Sequence, residues 1–158
     1  MPYWRLHYHL VWATYQRLPL ITEALERQIY GTILGKAKEL GAITHAIGNI
    51  EDHIHVAVSI PPKLAVADCV KHFKGASSYY VNHQPNASGN FSWQEGYGAL
   101  TFGDRAMSDV VEYVRNQKNI IAALRSALHS SESPRRMMVF RLSVIKWLFY
   151  QIHKTRRD

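Results

Sequence analysis

The chain begins with a segment, residues 3–14, in which bulky apolar residues alternate with more polar ones, and this pattern predicts a β-strand. Successive side chains of a strand point to opposite faces of the sheet, so the more apolar set predicts the core face. That set is Trp4, Leu6, Tyr8, Leu10 and Trp12. His7 and His9 share the other face, and we expect them to have a structural role on the outer or partner-facing side of the strand.

A helical period of apolar positions replaces this alternation further along and predicts three helices. The first is expected over Glu23–Leu40, with Thr22 as its N-cap and Gly41 as its stop. Its apolar stripe consists of Leu25, Ile29, Ile33, Leu34 and Ala37. The second helix is expected over residues 64–81 and the third over residues 105–128.

Short apolar runs between these helices predict the remaining strands. Residues 42–50 and 54–60 are the second and third strands, joined by a tight turn. Residues 91–93 and 99–102 read as a broken or bulged fourth strand. The order strand, helix, two strands, helix, strand, helix predicts an α+β fold, namely a ferredoxin-like split βαβ sandwich with an antiparallel sheet and an added C-terminal helix.

The composition changes near residue 130, where a linker rich in serine precedes a segment of basic and bulky apolar residues. We therefore expect residues 1–130 to form the functional domain and residues 131–158 to form a basic C-terminal tail or helix. A chain of 158 residues is long enough for one such domain with a real core.

The charge balance favours a polyanionic partner. The chain has 19 Lys and Arg residues against 12 Asp and Glu residues, a formal net charge of +7. Such an excess is typical of nucleic-acid binding, although a solvated basic surface would also account for it. Lys71, Lys74 and Ser77 on or beside the second helix are candidate phosphate contacts, with a solvated charged face as the alternative.

Other features of the composition exclude several classes of protein. A single cysteine, Cys69, excludes an internal disulfide framework and a Cys-rich zinc site, and it is expected to be a buried apolar residue. The sequence has no signal-peptide pattern and no apolar run long enough for a membrane span. These observations predict a cytoplasmic protein with no membrane partner.

The pair His53 and His55 is the strongest candidate for chemistry. Both lie on the predicted third strand, two residues apart, so their imidazoles share one face. Two imidazoles on one face provide half of a divalent-metal site. Histidines on strands are also common as ordinary surface or core-edge residues, so the prediction of a metal site needs further candidate ligands.

Tyr113 and Gln117 provide a second candidate pair. They lie four residues apart on the predicted third helix, which places both side chains on one face. The amide oxygen of Gln117 would suit a hard cation, and the phenol of Tyr113 could attack a phosphodiester. The alternatives are a solvent-facing amide for Gln117 and a core aromatic for Tyr113.

Several segments together resemble the small single-tyrosine HUH transposases of bacterial and archaeal insertion sequences, the transposase A type. The segments are YHLVWAT (residues 8–14), RLPL (17–20), DHIHV (52–56), VKHFKGASS (70–78), WQEGYG (93–98) and YVRNQ (113–117). They occur in the same order as in the family, and they span most of the predicted functional domain. The segment after residue 130 departs from the family pattern.

The resemblance implies a complete active site. His53, His55 and Gln117 would bind Mg²⁺ or Mn²⁺, and Tyr113, on the added helix, would be the nucleophile that forms a 5′-phosphotyrosine intermediate. The implied partner is single-stranded DNA with hairpins at element ends. The implied assembly is a homodimer with active sites built across the subunits.

Two other functions stay open at this point. One is a domesticated relative that processes palindromic DNA sequences. The other, from a different class, is a non-catalytic ferredoxin-like module in which aromatic strand residues stack on bases. Such a binding module would not need the histidine pair, the tyrosine and the glutamine together.

Overall fold

The computed structural model describes residues 3–129, and within residues 3–117 one four-stranded sheet carries helices on both of its faces. The strands are β1 (His7–Ala13), β2 (Ile43–Ile50), β3 (His53–Ser59) and β4 (Gly98–Phe102). The helices are α1 (Glu23–Leu40), α2 (Val66–Asn82), α3 (Met107–Arg115) and α4 (Gln117–His129). Two short 3₁₀ turns, Tyr15–Arg17 and Asp104–Ala106, connect these elements. No helix among these residues is both long and apolar enough to cross a membrane.

The chain divides into two units, Met1–Gln117 and Lys118–Asp158. The first unit contains the whole sheet, α1, α2 and α3. The predicted basic tail, residues 131–158, lies outside the described residues, so the boundary near residue 130 stays a prediction.

The sheet confirms the predicted ferredoxin-like arrangement. Its strand order is β2-β3-β1-β4, and every neighbouring pair is antiparallel. The two central strands β1 and β3 are paired along their whole lengths, from His7 opposite Ser59 to Ala13 opposite His53. The fourth strand was predicted as a broken strand over residues 91–93 and 99–102; β4 covers the second part, and from the first part Trp93 makes an isolated bridge with Thr14.

Helices α1 and α2 cover one face of the sheet with the main apolar core. Leu10 and Trp12 of β1 are fully buried there, which confirms the predicted core face. From β3, the residues Ile54, Val56 and Val58 point into the same core. Cys69 of α2 is buried in this core as expected, and its thiol is free. Burying such aliphatic side chains contributes about 1.5–3 kcal/mol each.

Two details of the predicted core are wrong. Leu34 was placed in the apolar stripe of α1, but it is 48% exposed because it points away from the sheet. Leu6 precedes β1, which begins at His7 rather than at residue 3, and it is 38% exposed. The bounds predicted for α1 and its caps are confirmed. Thr22 accepts a hydrogen bond from the Leu25 amide, and Gly41 ends the helix with φ of 72°.

Helix α3 covers the other face of the sheet, so His7 and His9 are not on an outer surface as predicted. Val110 and Val114 of α3 are fully buried against Ala46 of β2 and Ala57 of β3. Exposed fractions of 9% for His7 and 1% for His9 show that both imidazoles are inside the protein. The second face therefore combines a small apolar contact with buried polar side chains.

A polar network closes one end of this second face. His7 Nε2 lies 2.7 Å from Asp104 Oδ1, and His7 Nδ1 lies 2.7 Å from Ser59 Oγ. His45 Nε2 lies 2.6 Å from the same Ser59 hydroxyl. Because a carboxylate only accepts, a neutral His7 donates from Nε2 and accepts the Ser59 proton at Nδ1, while His45 donates to Ser59. The network gives His7 a structural role.

The predicted single helix over residues 105–128 is two helices. Asn116 leaves the helical region with φ of −95° and ψ of 19°, and its amide closes the last turn of α3 on the Glu112 carbonyl at 3.0 Å. Helix α4 then starts at Gln117. Tyr113 and Gln117 consequently belong to different helices rather than to one helical face.

The close approach of α3 to β2 depends on Gly48. A Cβ atom built on Gly48 would lie 1.7 Å from the Val114 carbonyl oxygen, far inside van der Waals contact. Hydrogen is therefore the only side chain that fits at this position unless the helix moves. Gly48 pairs with His55 across the sheet, so the same contact brings the end of α3 to the histidine pair.

We predict that Gly48→Ala lowers the free energy of unfolding by about 1–3 kcal/mol or more, because α3 must shift to admit the methyl group. Gly31→Ala on α1 is the matched control, since its Cβ would meet no atom within 4 Å. That control should be neutral or stabilising by up to about 1 kcal/mol, as expected for alanine in a helix. Urea unfolding of the three proteins tests this difference, and equal stabilities would contradict the packing described here.

Candidate active site

His53 and His55 lie side by side on the face of β3 that α3 covers. Their exposed fractions are 1% and 0%, and their ring centroids are 4.9 Å apart. The Nε2 atoms of both rings are buried without a hydrogen-bond partner among the described residues. Buried polar atoms are normally paired, so two neighbouring unpaired nitrogens are the expected signature of a site that binds a cation.

A carboxylate fixes the orientation of His53. Its Nδ1 atom lies 2.7 Å from Asp52 Oδ1, and because the carboxylate only accepts, Nδ1 carries the proton. In the neutral ring, Nε2 then holds the lone pair that a metal would need. Arg17 donates from Nη2 to Asp52 Oδ2 at 2.8 Å. The 3.4 Å separation between Arg17 Nη2 and His53 Nδ1 therefore joins two donors and is not a hydrogen bond.

The Asp52 carboxyl is held in its charged form. Burial raises its pKa, but the hydrogen bonds and charges of His53 and Arg17 outweigh burial, so the pKa lies below its ordinary value. Arg17 reaches Asp52 from a turn in which Gln16 and Arg17 both adopt positive φ, 50° and 55°. Left-handed backbone at residues other than glycine is strained, and such strain is common at functional sites.

A second imidazole holds His55. Its Nδ1 atom lies 2.9 Å from His9 Nε2, and the two rings are stacked with centroids 5.1 Å apart. Burial lowers the pKa of His9 to about 4. Burial, followed by the charges of His53, His9 and Arg17, lowers the pKa of His55 well below its usual range. Both rings are thus neutral near pH 7, which is the form that ligates metals.

Tyr113 lies against this histidine group. Its ring meets His55 edge to face at 5.8 Å and His9 at 5.7 Å. The tyrosine is partly exposed, whereas the histidines are buried. Tyrosine and histidines here belong to one chain, so the homodimer with active sites shared between subunits stays a prediction.

Gln117 is buried at the start of α4, with an exposed fraction of 2%. Its Nε2 donates to the main-chain carbonyl of Tyr113 at 2.7 Å, so Oε1 is the amide atom that could bind a cation. A Cβ on Gly48 would lie 3.5 Å from Gln117 Cγ, so the side chain passes close to the residue that pairs with His55. Tyr113 and Gln117 are therefore connected through the Tyr113 main chain across a helix break, and not through a shared helical face as predicted.

The described residues contain no group of three or more His, Cys, Asp or Glu side chains that could hold a metal. The candidate donors are therefore the two unpaired imidazole nitrogens and the amide oxygen of Gln117. Such a set leaves coordination positions for water and phosphate oxygens. The donor types and the unpaired Nε2 atoms fit a divalent cation.

The three candidate DNA contacts differ in their surroundings. Lys71 is exposed on α2. Lys74 donates to the carbonyls of Gln94 at 2.6 Å and Gly96 at 3.1 Å, and burial, partly opposed by Glu95, lowers its pKa. Lys74 therefore holds a loop of the protein itself.

Ser77 does not support the predicted contact with DNA. It is fully buried, donates to the Phe73 carbonyl at 2.7 Å and accepts from Trp93 Nε1 at 3.0 Å. Its hydroxyl is therefore used inside the fold.

Lys71 borders a groove of about 1080 Å³ between α1 and α2. Arg27 and Lys36 of α1 line the same groove. Gly35 and Gly75 face it without any atom within 4 Å of where a Cβ would be, so the groove is open. This basic groove lies on the α1 and α2 side of the sheet, whereas the histidine pair lies on the α3 side.

Sequence reasoning missed four residues of the site. His9, Arg17 and Asp52 orient the histidine pair, and Gly48 allows α3 to approach. The adjacency of Asp52 to His53 was a usable signal, since a carboxylate beside a ligating histidine often fixes its tautomer. His9 could not be found from spacing, because its contact with His55 depends on the register of β1 with β3.

We predict that Asp52→Ala lowers the free energy of unfolding by about 1–3 kcal/mol, because it leaves the Nδ1 proton of His53 and the Arg17 guanidinium without their acceptor. The control is Glu39→Ala, which removes a carboxylate from the solvent-exposed ion pair with Lys36. Exposed pairs contribute only about 0–1 kcal/mol, so the control should change stability little. Chemical denaturation measures both changes, and a loss in the control as large as in Asp52→Ala would contradict the assignment.

Comparison with known proteins agrees with the resemblance drawn from the sequence. The profile of the IS200-like transposases matches residues 2–117, which include the whole sheet and both candidate pairs. The transposase for insertion sequence element IS200 of Salmonella typhimurium is 30% identical over 122 residues, which cover 72% of this chain and 78% of that protein. The ISDra2 transposase TnpA of Deinococcus radiodurans is 24% identical over 119 residues, with coverage of 72% and 85%.

Two solved structures share the fold. A crystal structure of a Deinococcus radiodurans R1 protein assigned as a transposase matches with a TM-score of 0.56 and 25% identity, over 74% of this chain and 95% of that one. The REP-associated tyrosine transposase bound to a REP hairpin matches with a TM-score of 0.59 and 11% identity, over 77% and 74%. The family match over most of the chain confirms the resemblance to single-tyrosine HUH transposases: the chain belongs to the IS200-like transposase family.

Proposed function

We propose that this chain is a metal-dependent tyrosine transposase that cleaves and rejoins single-stranded DNA. The observation that carries the proposal is the position of Tyr113, whose ring lies against His9 and His55. Beside it, the Nε2 atoms of His53 and His55 are buried and lack partners among the described residues. A phenol beside a half-formed cation site is the arrangement that phosphodiester attack requires.

In the proposed reaction, the Tyr113 oxygen attacks the phosphorus of a scissile phosphodiester. A bond forms between that oxygen and phosphorus, the phenolic proton is lost, and the bond from phosphorus to the 3′ oxygen breaks. The 3′ oxygen takes up a proton and leaves as a hydroxyl, while the 5′-phosphate stays on the tyrosine. Attack by a 3′-hydroxyl on this phosphotyrosine rejoins strands without ATP, because the ester bond conserves the energy.

His53, His55 and Gln117 would hold Mg²⁺ or Mn²⁺. When bound, the cation would stabilise the negative charge that develops on the phosphate oxygens. Asp52 orients His53, and the Tyr113 carbonyl orients the Gln117 amide. The chain thereby presents its donors with fixed geometry before the DNA arrives, which lowers the cost of reorganisation during the reaction.

Single-stranded DNA with hairpins is the proposed substrate. The net charge of +7 and the exposed side chains of Arg27 and Lys71 at the groove between α1 and α2 support a polyanionic ligand. The REP hairpin on a transposase of the same fold supports a folded DNA element as part of the substrate. A non-catalytic binding module gains no support from a buried group of histidines that contacts a tyrosine.

We predict that wild-type protein forms a covalent adduct with labelled single-stranded hairpin DNA in Mn²⁺, and that Tyr113→Phe forms none, because it lacks the attacking oxygen. Tyr3→Phe is the matched control, since Tyr3 is 81% exposed and lies outside the groove, and its adduct should equal that of wild type. Chelation with EDTA and His55→Ala should each reduce the adduct by at least about 100-fold. Denaturing gels and mass spectrometry identify the modified residue.

Absence of an adduct from the wild-type protein would contradict the proposed chemistry. A phosphate found on another tyrosine would contradict the role of Tyr113. An adduct that persists in EDTA would contradict the role of the metal.

We also predict that Lys71→Ala weakens binding of hairpin DNA several-fold and reduces the slope of log affinity against log salt by about 1, as loss of one phosphate contact should. Lys38→Ala on α1 is the control, because it removes the same charge from an exposed position outside the groove. Fluorescence anisotropy at several salt concentrations measures both effects. Identical salt slopes for the two variants would exclude the groove as the DNA contact.

A further inference from the structure

The contact between His9 and His55 does not by itself fix which nitrogen donates, whereas in the contact between His53 and Asp52 only the imidazole can donate. The nitrogens that face each other, His9 Nε2 and His55 Nδ1, are 2.9 Å apart and both belong to imidazoles. Either ring can donate to the other, because a neutral imidazole has one N–H and one lone pair. The chain therefore permits two arrangements of protons at this pair.

The two arrangements differ at the far side of each ring. If His9 donates, His55 carries its lone pair on Nδ1 and a proton on Nε2, and that proton would point toward the candidate cation site. If His55 donates, its Nε2 carries the lone pair and the unused proton lies on His9 Nδ1. Both outer nitrogens, His9 Nδ1 and His55 Nε2, are buried without a partner among the described residues.

We infer that His9 is a positioning residue that accepts the Nδ1 proton of His55 and thereby directs the Nε2 lone pair of His55 toward the metal. This inference rests on the proposed function, because the direction of the His55 Nε2 lone pair has a consequence only where a cation binds to it. The candidate metal site then includes a residue of β1 in addition to the histidine pair on β3.

Geometry makes His9 suited to this role. It lies on β1 opposite Ala57 in the sheet, two positions along the ladder from the pair of Val11 with His55, so the two imidazoles are diagonal neighbours on one face. The stacked rings, inclined by 23°, keep the two nitrogens within hydrogen-bond distance. The same His9 ring contacts the edge of Tyr113, so one side chain touches both a proposed ligand and the proposed nucleophile.

The two proposed ligands therefore donate to acceptors of different charge. His53 donates to a carboxylate that Arg17 also contacts, whereas His55 donates to a neutral imidazole. Partners of this kind determine which tautomer a ligating histidine adopts, and their loss commonly weakens metal binding by about 10–100-fold. The corresponding prediction is that His9, although it does not touch the cation, controls its affinity.

Nitrogen NMR of the imidazoles in metal-free protein tests the tautomer directly, and Mn²⁺ titration tests its consequence. In wild type we expect His55 as the Nδ1–H tautomer. His9→Gln should preserve this tautomer and an Mn²⁺ affinity close to wild type, because the glutamine oxygen can accept where His9 Nε2 did. His9→Leu should lose the single tautomer and weaken Mn²⁺ binding by about 10–100-fold. His7→Leu, on the same strand and face but bonded to Ser59 and Asp104, is the control that should leave both readouts unchanged.

The outcomes separate this inference from the proposed function. An Nε2–H tautomer of His55 in wild type, or in His9→Gln, would overturn the inference. So would wild-type Mn²⁺ affinity in a folded His9→Leu protein. Should the wild-type protein show the expected tautomer but bind no Mn²⁺, the hydrogen bond would stand and the metal of the proposed function would fail. The wild-type and His9→Gln spectra keep the test decisive even if His9→Leu does not fold.

Discussion

The backbone contact between Gly48 and Val114 is the constraint on which the candidate active site depends. Helix α3 lies so close to β2 that no side chain larger than hydrogen fits at Gly48. At this separation, Tyr113 reaches the histidine rings and Gln117 passes beside the partner of His55 in the sheet. A helix held further from the sheet would carry the same residues without bringing them to the histidines. Backbone packing thus places Tyr113, the proposed nucleophile, against the histidines.

The two faces of the sheet bury different kinds of side chain. The face under α1 and α2 is apolar and carries the main core. The face under α3 has only a small apolar contact, with buried polar groups on either side of it. One polar group links His7, Ser59 and Asp104, and the other includes His55 and His9. Buried polar groups need partners, and in the first network the protein provides them, whereas at the histidine pair two nitrogens remain for a ligand.

Much of this architecture could be predicted from the sequence, because its elements follow local patterns. The alternation of residues in β1 predicted that Leu10 and Trp12 belong to the core. The capping residues predicted where α1 begins and ends. The family resemblance adds His53, His55, Tyr113 and Gln117 as candidate site residues. The predictions were wrong where contacts in the folded chain override the local sequence pattern. The break at Asn116 depends on capping geometry, and Ser77 looked like a surface hydroxyl although Trp93 buries it.

The parts that could not be predicted are contacts between residues distant in sequence. His9 meets His55 only because β1 pairs with β3 in one register, and a shift by one residue would turn His9 to the opposite face. The requirement for glycine at position 48 likewise exists only when α3 packs on it. Such relations are properties of the assembled sheet, and no spacing along the chain encodes them.

His53, His55 and Gln117 are proposed to form one cation site beside Tyr113. Anomalous diffraction from crystals soaked in Mn²⁺ tests it most directly, because manganese is located without reference to activity. We expect one strong peak bonded to the Nε2 atoms of both histidines and to the Gln117 amide oxygen. A well-occupied peak bound by other residues, or no peak between the two histidines at saturating Mn²⁺, would contradict the account.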